Sequence, residues 1–150
     1  MAADLLRTRD GGHARVGFVE LFFDLVFVFA ITQLSHTLLA HLTWLGVLQA
    51  AMLLGALWWA WIDTSWITNW LDPDRAPVRA LLFLLMGGGL VMSTSLPEAF
   101  GDKGLIFACA FASIQVGRGL FTLWAVRGHD VLRRNFQRIS LWAVGGAILW

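Results

Sequence analysis

Apolar residues arrive in this chain in blocks of about twenty, the number a helix needs to cross a ~30 Å hydrocarbon core. Core helices of soluble proteins are rarely so uniformly apolar. The rest of the composition agrees: 58% of the 150 residues are hydrophobic and only 14% are charged, whereas soluble domains carry about 25% charge. The fold class expected is therefore all-α, a polytopic transmembrane helical bundle with four full spans and a truncated fifth.

Residues 1–16 include Asp4, Arg7, Arg9, Asp10 and Arg15, too hydrophilic for lipid and too short to fold alone; they read as a mobile cytoplasmic tail. The transmembrane domain then occupies 17–150, with spans at about 17–40, 44–70, 79–96 and 105–126 and a partial one at 139–150. Only His41, Leu42 and Thr43 separate the first two spans, which implies an antiparallel hairpin. Asp72, Pro73, Asp74 and Pro77 mark the next loop, and Pro97, Gly101 and Gly104 the one after. The last stretch, about 12 residues long, would rise only about 18 Å as a helix, so the chain is expected to continue past Trp150. The first span is not a signal peptide: it is too long, contains Glu20 and Asp24, and has no convincing small-residue cleavage site after it.

Orientation follows from the loops, because Lys and Arg concentrate on the cytoplasmic side. Arg7, Arg9, Arg15, Arg75, Arg79, Arg127, Arg133, Arg134 and Arg138 fall on one side, and Lys103 alone on the other. The N-terminus is thus expected on the cytoplasmic side of a cell (inner/plasma) membrane. Trp44, Trp66 and Trp70 sit where amphipathic rings favour the headgroup boundary.

Four ionisable residues lie within the spans: Glu20, Asp24, Asp63 and Arg118. At a helix centre each costs about 2.5 to 3.5 kcal/mol to insert, against about 0.3 to 0.6 gained per Leu, Ile, Phe or Val. For the first span, fourteen such apolar residues gain roughly 4 to 8 kcal/mol while two central acids cost roughly 5 to 7, close to balance. Relief has to come from depth, protonation or a partner. Counting about 1.5 Å per residue from the cytoplasmic ends puts Glu20 about 5 Å deep, Asp24 and Asp63 about 10 Å, and Arg118 about 12 Å. Charge on three helices thus meets at one level of the inner leaflet.

Helical spacing assigns faces. Glu20 and Asp24 share one; Trp59, Asp63 and Trp66 fall on a stripe of the second span with Gln49, Met52, Ala56 and Trp70; Gln115, Arg118 and Thr122 align on the fourth. Arg118 is expected to pair with Asp63, Asp24 or both across the bundle, because a guanidinium can fork two carboxylate oxygens and an unpaired buried charge is costly. Three acids to one arginine leave an acid able to take up and release a proton. Such a layer serves either a path for an ion, proton or small solute, or only helix register and packing.

Gly87, Gly88 and Gly89 offer a smooth surface for close helix approach, and Ser93, Thr94 and Ser95 have hydroxyls for backbone bonds. Cys109, without a partner in the chain, reads as a small packing residue. His13, His36, His41 and His129 lack metal-ligand spacing, so no metal or cofactor is expected. A net charge of +1 leaves no footprint for nucleic acid. The expected partners are the lipid bilayer, a transported ion, proton or small solute, and further copies of the chain.

Residues 19–34, where Glu20 and Asp24 stand four apart inside a run with Phe22, Phe23, Phe27 and Phe29, closely resemble the opening segment of the bacterial low temperature requirement A family. Trp58, Trp59, Ala60, Trp61 and Asp63 in the second span and the region of Arg118 are similar to it as well. The resemblance covers the chain from about Val16 and implies a polytopic membrane protein considerably longer than this chain, of which this is an N-terminal portion. It implies a link, by name, to growth in the cold and supplies no catalytic residues. Three functions follow in order: a transporter or channel-like protein using the charged layer; a structural, sensory or regulatory protein of low-temperature adaptation; and, last, an intramembrane enzyme using Glu20 and Asp24. No nucleophile or metal set singles out the third, and the chain is expected not to be an enzyme.

Overall fold

A computed structural model of the protein describes Leu5 and residues 17–126. Among these it forms four helices long and apolar enough to cross a membrane: α1 Phe18–Ala40, α2 Trp44–Thr68, α3 Ala76–Ser95 and α4 Gly104–Ala125, with a 3₁₀ turn Leu96–Glu98 after α3. The expected partial span at 139–150 lies outside the described residues.

Local chemistry sets the helix ends. Thr43 caps α2 by accepting from the Gly46 amide at 3.0 Å. A side chain at Gly46 would collide with the His41 carbonyl oxygen, so the tight α1–α2 link needs glycine there. Pro77 stands in the first turn of α3 rather than in the preceding loop, and the span expected from 79 begins three residues earlier, at Ala76. The reason is that the first turn has no use for the amide hydrogen that proline lacks.

The helices run alternately up and down. The end of α1, the start of α2 and the Leu96–Glu98 turn meet at one end of the bundle around a cavity of about 370 Å³. The end of α2, the start of α3 and the end of α4 meet at the other, around Ile67, Leu71, Val78 and Val126. Helix α3 packs on both α1 and α4, α1 also packs on α2, and a narrower α2/α4 seam closes the ring. The shared core is apolar, with Phe23, Phe27, Leu57, Leu82, Met92 and Phe111 among its members.

Two adjacent glycines allow α3 its two close neighbours. A Cβ at Gly88 would lie 2.8 Å from Ile114 of α4, and one at Gly89 would lie 2.9 Å from Val26 of α1. Gly87 points into open space. The hydroxyls of Ser93 and Ser95 donate to the carbonyls of Gly89 and Val91, at 2.7 and 2.8 Å, so buried polar groups are satisfied within the helix.

Large apolar side chains cover the outside, Phe18, Leu84, Leu105 and Leu120 among them. That surface suits hydrocarbon and not water. Of residues 1–16 Leu5 alone is described: it is buried against Ile67, Leu71, Val78 and Val126, and its carbonyl accepts from the Asp72 amide at 2.9 Å.

Candidate functional site

Arg118 is the centre of the arrangement. Gln115, Arg118 and Thr122 follow one another at helical spacing along the inner face of α4, and all three are buried. The arginine is 3% exposed, in a helix whose outer face carries Leu105, Ile106 and Leu120. A guanidinium in such a place must have its donors satisfied by protein.

Helix α2 supplies most of the partners. Nη2 donates to Asp63 Oδ2 at 2.8 Å, and Nη1 donates to the Ala60 carbonyl at 3.2 Å and to Thr64 Oγ1 at 3.4 Å. Nη2 also donates to Gln115 Oε1, one turn back on α4. Ala60, fully buried with only a methyl side chain, leaves its carbonyl open to the arginine. The pairing with Asp63, one of the two expected from the sequence, involves one carboxylate oxygen, because the second terminal nitrogen turns to the α2 backbone.

Asp24 is not among the arginine's partners. Its Oδ1 accepts from Trp61 Nε1 at 2.7 Å, so a tryptophan of α2, two positions from Asp63, holds the α1 acid. Among the described residues no Lys or Arg reaches Asp24. Glu20 does a different job: its Oε2 accepts from the Gly17 amide at 2.8 Å, capping the start of α1, where the helix dipole favours negative charge. Both acids line a cavity of about 190 Å³ together with Ser65, Thr68 and Asn69. The charged layer therefore has two parts: an Arg118–Asp63 pair between α4 and α2, its arginine buried and its aspartate partly so, and a carboxylate-lined cavity between α1 and α2.

The stripe expected on α2 needs correction. Trp59 and Trp66 are 50% and 60% exposed and lie on the outer surface, not beside Arg118. The inward face runs through Leu53, Ala56, Leu57, Ala60, Thr64 and Ile67, so Asp63 sits at its edge and reaches Arg118 sideways. Spacing alone cannot tell which of two neighbouring stripes faces inward. The small residues Ala56 and Ala60, four apart, were the available signal, since helices approach where side chains are small.

The sequence reading assigned no site role to Trp61 or Thr64, the two groups that complete the network. Thr122 is buried and donates to the Arg118 carbonyl at 2.9 Å. Gln115 gives its oxygen to Arg118, while its Nε2 is buried without a partner among the described residues. Among the described residues no group of three or more His, Cys, Asp or Glu is placed to hold a metal ion.

Long apolar helices, a lipid-suited exterior and charge gathered between helices define a multi-pass integral membrane protein. More particularly, the chain belongs to the bacterial low temperature requirement A protein family (LtrA), whose family model matches residues 15–150. It is 45% identical over 147 residues to an uncharacterized protein of Rhizobium meliloti (strain 1021), covering 97% of this chain and 36% of that protein. The chain thus spans about a third of the length of that relative. No solved structure matches it.

Proposed function

We propose that this membrane protein passes a proton, small cation or small solute through its helical bundle, using the layer formed by Asp24, Asp63 and Arg118. The observation that carries this reading is the division of the layer. Arg118 is committed to Asp63, while Asp24 faces a hydroxyl- and amide-lined cavity held by a neutral indole donor and no cation among the described residues. A carboxylate in that setting is placed to meet a proton or cation entering the cavity. A second cavity, of about 370 Å³, lies at the other end of the bundle and is lined in part by His41, Gln49, Glu98 and Asp102. Cavities with polar groups among their walls at both ends of an apolar core suit a translocation path.

The charge distribution of the loops supports a cytoplasmic N-terminus in the bacterial inner membrane. Reporter tags inserted after Asp72 and after Asp102 then face opposite sides of the membrane; the same side for both would overturn this topology. The reading includes no covalent chemistry and no cofactor, and the bilayer is the one partner it requires.

Flux measurement tests the transport reading. In proteoliposomes holding the full-length protein, Asp24→Asn, Asp63→Asn and Arg118→Gln each abolish proton or cation flux while the protein stays monodisperse. Flux unchanged by Asp24→Asn would remove the reading's main support.

A second reading rests on the bonds from Arg118 to Ala60 and Thr64, which staple α4 to α2 as a purely structural device would. Here the protein supports membrane function in the cold without transport. Its signature is loss of cold growth on Arg118→Gln with full retention on Asp24→Asn.

A further inference from the structure

Helix α4 meets α3 along one side, where Ile114 lies against Gly88, and α2 along another, where Arg118 reaches Asp63. Past the α2 contact runs a third side, made of Ala108, Ala112 and Gly119 with Gln115 between the last two. Gly119 lies about 140° around the helix from Ile114, turned away from α3. These small residues are half-buried, whereas Leu105, Val116 and Leu120 on the outer face are exposed. The α2/α4 seam beside them is a narrow one.

Gln115 defines what can cover this side. It is 2% exposed; its oxygen accepts from Arg118, while its Nε2 is buried and has no hydrogen-bond partner among the described residues. A buried amide donor without an acceptor is costly, and a lipid acyl chain offers none. The groove on the opposite side of α4, a cavity of about 680 Å³ between α3 and α4 around Gly117, contains no such orphaned buried atom among the described residues.

The chain itself supplies a covering element. Val126 ends the described part of α4, and residues 127–138 connect it to the apolar segment 139–150. A connection of about 12 residues reaches roughly 40 Å when extended, several times the distance of about 8 to 10 Å between packed helices. Consecutive elements usually pack side by side. Helical spacing sorts the segment by size: Ser140, Ala143, Gly146 and Ala147 fall on one side, Leu141, Val144 and Ile148 on the other. Small faces let helix backbones approach closely. A carbonyl near Gly146 then has a second lone pair for Gln115, as the Ala60 carbonyl has one for Arg118. Counting about 1.5 Å per residue from the two ends of the connection puts Gly119 and Gly146 at the same height, about 10 Å in.

We propose that residues 139–150 form a helix that docks by its small face on Ala108, Ala112 and Gly119, closing the α2/α4 seam over Gln115 and beside the Arg118–Asp63 pair. The segment carries no charged residue, so it shields the pair without competing for it. The inference is independent of the transport reading, because the docked helix closes the bundle whether or not anything passes through it.

Disulfide trapping in the full-length protein tests this, with Cys109→Ala and any further cysteine replaced. Gly119→Cys is combined with Gly146→Cys or Ala147→Cys, and a protease site is placed in the 127–138 connection. Membranes are oxidised with copper phenanthroline and then cleaved. A disulfide needs Cα atoms within about 7 Å, so direct packing keeps the two fragments joined until they are reduced. Joined fragments are expected with Gly119→Cys and separate ones when Gly117→Cys replaces it. Joining through Gly117→Cys instead would put the segment in the α3/α4 groove and overturn the proposal. Separation at both positions, which leaves lipid or another part of the protein on this side of α4, refutes it as well. So do dimers formed by Gly119→Cys alone, which would put a second copy there. If cysteine at Gly119 prevents folding, Leu123→Cys with Ala143→Cys, one turn nearer the connection, decides in the same way: joined fragments support the docking and separate ones reject it.

Discussion

Replacing Asp63 by leucine removes the only carboxylate that touches Arg118 among the described residues, and the structure fixes how costly that is relative to the reverse change. In the pair the arginine side chain is 4% exposed and the aspartate 21%. Asp63→Leu therefore strands a guanidinium that has no route to water, which costs about 3 to 5 kcal/mol. Arg118→Met strands a carboxylate that keeps some hydration and leaves Thr64 and Gln115 short of a donor; about 1 to 3 kcal/mol covers that loss. The double variant buries no charge, and apolar replacement of a buried pair is neutral or stabilising by about 1 to 4 kcal/mol. The order expected is thus Asp63→Leu least stable, Arg118→Met intermediate, and the double variant close to the parent. Reversible unfolding in mixed micelles, followed by tryptophan fluorescence, measures all four proteins in one thermodynamic cycle. The reasoning fails if Arg118→Met is the more damaging single change, or if the double variant loses the sum of the two single losses.

The same unfolding assay checks two further expectations. Trp61→Phe removes the donor to Asp24 and costs about 1.5 to 3 kcal/mol, the worth of a hydrogen bond to a charged group, whereas Trp59→Phe and Trp66→Phe on the outer surface stay within about 0.5 kcal/mol; equal effects at the three positions would place the α2 face wrongly. Gly87→Ala stabilises by up to about 1 kcal/mol through helix propensity. Gly88→Ala and Gly89→Ala gain as much but add a methyl group against Ile114 or Val26, which costs about 1 to 3 kcal/mol. If all three alanine variants behave alike, α3 does not lie as close to its neighbours as described.

What could be read from the chain alone was governed by solvation. An apolar block of about twenty residues has one favourable home, as a helix in lipid, whatever its neighbours do. The four helices and their ends were legible for that reason, apart from the first turn of α3 and the 3₁₀ turn after it, where short-range capping decides. The high cost of isolated charge likewise marked Glu20, Asp24, Asp63 and Arg118 as residues needing partners. Which partners they have was not legible. Arg118 could reach an acid on α1 or one on α2 at the same depth, and the choice turned on how α2 is rotated about its axis. That rotation is set by where small side chains let helices approach, a property of pairs of helices and not of either one. With Ala60 and Thr64 turned toward α4, Asp63 comes within 2.8 Å of the guanidinium, Trp61 is left for Asp24, and Trp59 and Trp66 face outward. The docking of Leu5 was hidden for a related reason: two adjacent leucines, Leu5 and Leu6, in a polar tail carry no periodic signal, and only the assembled ends of α2, α3 and α4 create the socket that holds Leu5.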